Sequence, residues 1–163
     1  MKKSKMSTFE LICSLIAIAL GVLMIIPMFV SSIESTLLGR VVESYTIFTL
    51  GDMVATLSEE VASIATATEV IALIAIICAL VMAVLELLKL IGIRFPRFLR
   101  MLASIATVVL SILAFIMFIV LVSKANPSSE ITNVASYAMS AGAILILVFG
   151  VVGGTAGVLA SRK

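Results

Sequence analysis

The sequence predicts an all-α, polytopic integral membrane protein: a four-transmembrane-helix bundle with both termini on the cytoplasmic side. Three observations carry that expectation. Of 163 residues, 63% are hydrophobic and 12% charged, with a mean hydropathy of +1.34, whereas a soluble domain is roughly 45–50% apolar and roughly 25% charged. Uncharged runs recur at or beyond the length of about 20 residues that a helix needs to cross the hydrocarbon layer. Finally, Lys89, Arg94, Arg97 and Arg100 form a stretch without an acidic residue between two apolar runs. Such a stretch reads as a cytoplasmic turn, and alternation then assigns a side to every other segment.

The first span is expected at about 9–30. Ser7 stands three residues before Glu10, the residue types of a capping box. Leu11 to Val30 carries no charge, and Pro27 should kink or end the helix ahead of Ser31 and Ser32. A basic start and an apolar run also fit a signal peptide. This run exceeds the usual apolar region of about 7–15 residues, however, and Glu10 sits where a basic region belongs, so the segment reads as a retained span.

An outer loop follows at about 31–65, with Glu34, Glu43, Asp52, Glu59 and Glu60 against Arg40 alone. Its stretch Val41 to Leu50 is rich in β-branched and aromatic residues and reads as an extended piece or short strand. From Asp52 or Ser58 onward, Val54, Leu57, Val61 and Ile64 recur at helical spacing, so the second helix should project beyond the membrane. Its membrane part is expected at about 66–88. There Ala65, Thr68, Ala72, Ala75, Ala79 and Ala83 form one small-residue stripe, a face that lets another backbone come close.

The inner loop, 89–100, interleaves its basic residues with Ile91, Ile93, Phe95 and Phe98. This pattern suits a segment in the headgroup layer, with Lys89, Arg94, Arg97 and Arg100 anchoring topology on anionic lipids. A third span is expected at about 101–123, with Ser104, Thr107, Ser111 and Ala114 on one side. After an outer turn at 124–130, Asn126 as N-cap, Pro127 at the first helical position and Glu130 in the first turn predict a helix from Pro127 to Ala160. Its membrane part is expected at about 131–160. Along it lie Ala135, Ala138, Gly142, Gly150, Gly153 and Gly157, the last two in GxxxG spacing. Counted by side, nine of the eleven Lys and Arg residues fall inside (Lys2, Lys3, Lys5, Lys89, Arg94, Arg97, Arg100, Arg162, Lys163), and only Arg40 and Lys124 fall outside.

Little in the sequence points to catalysis. There is no His and no Trp, and no paired acids occupy the middle of a span. The Gly-rich part of the fourth helix lacks both the preceding strand and the Gly-Lys-Ser/Thr of a phosphate loop. No catalytic residue, cofactor, metal site or nucleic-acid partner is expected. Cys13 and Cys78 fall at different depths and read as core filler rather than a disulfide. Glu86 either pairs with Lys89, three residues on, or lines an inner vestibule.

These features predict a non-enzymatic membrane subunit or scaffold that forms oligomers or complexes. Gly142, Gly150, Gly153, Gly157, Ala72, Ala75 and Ala79 are the expected packing or oligomer contacts, and Glu43, Asp52, Glu59 and Glu60 the partner-facing acids outside. The alternative is a homo-oligomeric channel lined by Ser104, Thr107 and Ser111, with Glu86 at its inner end; a third reading is a small transporter, export or immunity factor. The expected partners are the bilayer, copies of the chain or other membrane proteins. The expected location is a cell membrane, and the Lys-rich start and the lack of glycosylation acceptors point to a prokaryotic one.

Overall fold

Ser7 begins the first helix as its residue type predicts, its hydroxyl accepting from the Glu10 amide at 3.2 Å. The computed structural model describes residues 6–52, 58–126 and 135–162. It is mostly helical, at 74%, and its helices are α1 (Thr8–Leu23), α2 (Glu59–Ile91), α3 (Arg97–Ala125) and α4 (Ala141–Ser161). All four are long and apolar enough to cross a membrane, α1 when taken on to Met28. Each helix packs on its neighbour in the chain, α4 closes the ring on α1, and α2 meets α4 across the diagonal. The core runs through Met24, Ile76, Phe118, Leu121 and Ile146, all essentially inaccessible.

Pro27 sits at the start of a short 3-10 turn, Ile26–Met28, which ends the first span where expected. α2 starts at Ser58 and stops at Gly92, whose φ of 97° is a left-handed conformation that glycine adopts without a Cβ penalty. Its 33 residues extend about 50 Å at 1.5 Å per residue, against a hydrocarbon layer of about 30 Å. Its first turns are packed rather than projecting, with Val61 and Ala65 buried in the core; Val54 and Leu57, on which the expected extension also rested, lie outside the described residues.

At that end three short strands form an antiparallel sheet in the order β2-β1-β3: β1 (Ile33–Leu37), β2 (Arg40–Tyr45) and β3 (Ala135–Met139). β1 and β2 are joined by Leu38 and Gly39, both at positive φ (51° and 76°), the signature of a two-residue hairpin turn. The register runs from Ile33 opposite Tyr45 to Leu37 opposite Arg40, with an irregularity between Ser35 and Thr36. On its other edge β1 pairs with β3, Ile33 opposite Met139 and Leu37 opposite Ala135. β2 agrees with the first half of the extended piece predicted at Val41 to Leu50, whereas Ile47–Thr49 is a short 3-10 turn closed by the Thr46 and Thr49 hydroxyls. The β1 strand was not foreseen, because Ile-Glu-Ser-Thr-Leu has no apolar alternation.

The fold is therefore a helical bundle carrying a small sheet, rather than purely helical. The prediction of one helix from Pro127 to Ala160 also needs correction: Ala135–Met139 is strand and α4 begins only at Ala141. Its uncharged composition resembled more helix, but β1 offers these backbone groups a partner, and Asn126 fixes the strand's approach. Asn126 is not an N-cap. It ends α3, its side-chain amide donating to the Tyr137 carbonyl at 2.8 Å and its amide oxygen accepting from the Tyr137 N–H at 2.7 Å. The helix start expected at Pro127 and Glu130, the basic residues Lys2, Lys3 and Lys5, and Lys163 lie outside the described residues.

The small-residue stripes meet inside the bundle. Ala65, Thr68, Ala72, Ala75, Ala79 and Ala83 are all buried on α2, and Ser104, Thr107, Ser111 and Ala114 on α3. On α4, a Cβ on Gly154 would lie 2.9 Å from the Ser104 carbonyl oxygen, and one on Gly150 or Gly157 would overlap the Ser111 or Ser104 side chain respectively. A Cβ on Gly153 would come within 3.0 Å of Leu20 on α1, and one on Gly142 within 2.8 Å of the Ser31 and Val30 carbonyls. Gly21 makes the same kind of approach between α1 and α2, 2.8 Å from the Ala79 carbonyl oxygen. Gly142, Gly150, Gly153 and Gly157 thus seat the chain's own backbone and side chains, and are not presented at the bundle surface.

Two substitutions one residue apart test this packing. Gly154→Leu must push α3 and α4 apart and is expected to lower stability in detergent by about 1–3 kcal/mol or more, whereas Thr155→Leu, on the exposed side, should leave the thermal midpoint nearly unchanged. Size-exclusion mass should be the same for both.

Candidate functional site

The bundle end opposite the sheet gathers the N-terminus of α1, the turn between α2 and α3 and the C-terminus of α4. A carboxylate lies at its centre. Glu86, in the last two turns of α2, is fully buried, and it is met from every helix. Ser14 on α1 donates to its Oε2 at 2.8 Å. Arg100 on α3 approaches Oε1 at 3.4 Å, as does the Ser161 hydroxyl at the end of α4. Lys89, one turn on in α2, lies 3.8 Å from Oε2. The Lys89 ammonium also pairs with Glu10 on α1 at 2.7 Å and donates to the Ala160 carbonyl on α4 at 2.8 Å.

Sequence chemistry accounts for these positions. Glu10 and Ser14 are four residues apart and therefore share a face of α1. Glu86 and Lys89 share a face of α2 in the same way. Arg100 lies in the first turn of α3, where its long side chain reaches into the bundle. Two carboxylates and two cations leave the cluster without net charge, the condition under which buried ions are tolerated. The Lys89 contact also satisfies one of the C-terminal carbonyls that a helix leaves open.

The predicted Glu86–Lys89 pair is thus present, but at 3.8 Å it is the longest of Glu86's contacts, and Glu86 opens onto no vestibule. Lys89 and Arg100, expected on lipid headgroups, point inward: Arg100 is 6% exposed. The reason is electrostatic, since the Glu86 carboxylate has no other guanidinium within reach and an unpaired buried charge is very costly. Arg94 and Arg97 do stand exposed. Ser104, Thr107 and Ser111, proposed as pore lining, are inaccessible, Ser104 and Ser111 lying against the glycines of α4. The Ser104 and Thr107 hydroxyls bond the carbonyls of Arg100 and Ala103 one turn back.

A second polar cluster ties the sheet to the helices. Glu34 of β1 accepts from Ser31 at 3.0 Å and from Ser140, just before α4, at 2.7 Å. The Ser140 amide donates to the Ser32 carbonyl at 2.9 Å and the Gly142 amide to the Ser31 carbonyl at 2.8 Å. Of the predicted outer acids, Glu43 and Asp52 share a shallow cleft of about 420 Å³ with Ser44, Tyr45 and Thr49. The Tyr45 hydroxyl donates to Glu43, and burial, then that carboxylate, push the phenol above its ordinary range. Glu60 is drawn instead to Lys124 on α3, at 3.1 Å, and Glu59 stands exposed. Among the described residues no group of His, Cys, Asp and Glu is arranged to hold a metal ion.

Sequence reasoning missed Glu10, Ser14, Ser161 and Glu34. The signal for Ser14 was its hydroxyl in an otherwise apolar run, four residues from an acid. Nothing local singled out Ser161.

Four mutually packed apolar helices thus carry a clasp of two carboxylates and two cations at one end and a three-stranded sheet at the other. The chain matches no protein-family model, no curated protein and no solved structure.

The clasp predicts a specific non-additivity. Glu86→Ala leaves Arg100 buried without its carboxylate and should cost about 3–5 kcal/mol of stability, while Glu86→Leu combined with Arg100→Leu should recover most of that loss. Denaturant titration in micelles measures both; equal losses in the single and double variants would refute the pairing.

Proposed function

We propose that the chain is a four-span protein of a cell membrane, prokaryotic in origin, with its termini and the α2–α3 turn on the cytoplasmic side. In this reading it works as a non-enzymatic scaffold or complex subunit, carrying a fixed outer sheet to copies of itself or to other membrane proteins. Orientation follows the distribution of Lys and Arg, which crowd the clasp end and are sparse at the sheet end.

One observation carries the scaffold reading. The small-residue faces that could have served a partner are occupied within the bundle, whereas β2 is an edge strand of the sheet, with Val41 and Val42 each 57% exposed. An open edge flanked by apolar side chains is a common docking device, since it offers both backbone hydrogen bonds and area. The channel reading loses its proposed lining, because Ser104, Thr107 and Ser111 are buried inside the bundle.

Topology is tested in a cysteine-free background by placing Glu59→Cys and Phe95→Cys separately in sealed cells. An impermeant maleimide should label position 59 at once and position 95 only after permeabilisation; the opposite result reverses the orientation. Assembly is tested by Val41→Lys with Val42→Lys. This change should reduce the mass of the complex recovered in mild detergent while leaving the thermal midpoint within a few degrees, and an unchanged mass would remove β2 from the interface.

A further inference from the structure

The clasp divides the cations of the α2–α3 turn into two kinds. Lys89 and Arg100 are neutralised inside the protein by Glu10 and Glu86. Arg94 and Arg97 are exposed and belong to none of the ion pairs among the described residues. Beside them Ile91 is 68% exposed and Phe98 70%, with Ile93 and Phe95 also open. Both acids at this end are held in the clasp, so the outer face of the turn is cationic and apolar with no compensating carboxylate among the described residues.

That combination selects its occupant. A free phosphate in water would pair with the guanidiniums but leave the rings and Ile side chains hydrated. An anionic phospholipid satisfies both halves, its phosphate accepting from the planar guanidinium forks and its acyl chains covering the apolar residues. We propose that the turn Ile91–Leu99 is a binding site for an anionic phospholipid of the cytoplasmic leaflet, with Arg94 and Arg97 as the phosphate ligands and Ile91, Ile93, Phe95 and Phe98 against the acyl chains. Lys89 and Arg100 take no part in it. The site rests on the membrane reading above and goes beyond it, because it separates two lipid ligands from two internal cations in what is otherwise one basic segment.

Purified protein in nonionic detergent is titrated with phosphatidylglycerol, phosphatidylcholine or inorganic phosphate, and apparent affinity is read from the rise of the thermal midpoint. Phosphatidylglycerol should give a saturable rise that the other two do not. Arg94→Gln with Arg97→Gln should keep the unliganded midpoint and weaken phosphatidylglycerol about thirtyfold, the effect of two basic side chains at a headgroup surface. Phe95→Ser with Phe98→Ser should weaken it as well. Unchanged affinity in the arginine variant, an equal rise with phosphatidylcholine, or an equal rise with inorganic phosphate each overturns the proposal. A chain that stays dispersed without detergent would overturn the membrane reading and this site together, whereas a detergent-dependent chain with no phosphatidylglycerol-selective rise overturns the site alone.

Discussion

One buried carboxylate sets the arrangement of this bundle. In surroundings as apolar as these helix faces, an ionised group cannot fall back on water, so Glu86 must be answered from within. Its answers come from Ser14, Arg100, Lys89 and Ser161, one or more from each helix. Moving any helix away would leave part of that set unpaired. Hydrophobic burial between greasy helices is non-directional and fixes no unique rotation or depth; a charge with four partners does.

The clasp in turn depends on how closely the helices approach. Hydrogen bonds of 2.8 Å between side chains as short as serine and glutamate require adjacent backbones at short range. The Gly and Ala positions supply that range: Gly21 against Ala79, and Gly150, Gly154 and Gly157 against the Ser104–Ser111 face. Where a side-chain hydroxyl fills the space left by a missing Cβ, as Ser111 does at Gly150, the seam is packed so closely that the Ser111 hydroxyl finds no partner among the described residues. Close packing and polar pairing are thus two aspects of one constraint. Together they leave the outer surface of the bundle to large aliphatic residues.

The opposite end uses the same logic with backbone groups. A loop of this composition would be mobile alone, and a two-stranded hairpin is marginal in water. Here β1 gains a third strand from the segment before α4, Asn126 holds that strand to α3, and Glu34 bridges to Ser140. The sheet is therefore fixed to the end of the bundle, an orientation suited to presenting β2. The function we propose follows from this rigidity and from the burial of the small-residue stripes of α2, α3 and α4.

The sequence by itself determined that the chain forms four helices long and apolar enough to cross a membrane, because run length and apolar composition are local and additive. It also marked the small-residue stripes and the extended character of β2. Tertiary structure decided the rest. That Ala135–Met139 is a strand depends on a free edge at β1, about a hundred residues earlier. That Arg100 turns inward while Arg97, one turn before it, faces out depends on a carboxylate on another helix. That the Gly stripe of α4 is enclosed rather than displayed depends on which neighbours its own chain places against it. In each case the deciding partner is remote in sequence, and an isolated segment carries no information about what will stand across from it.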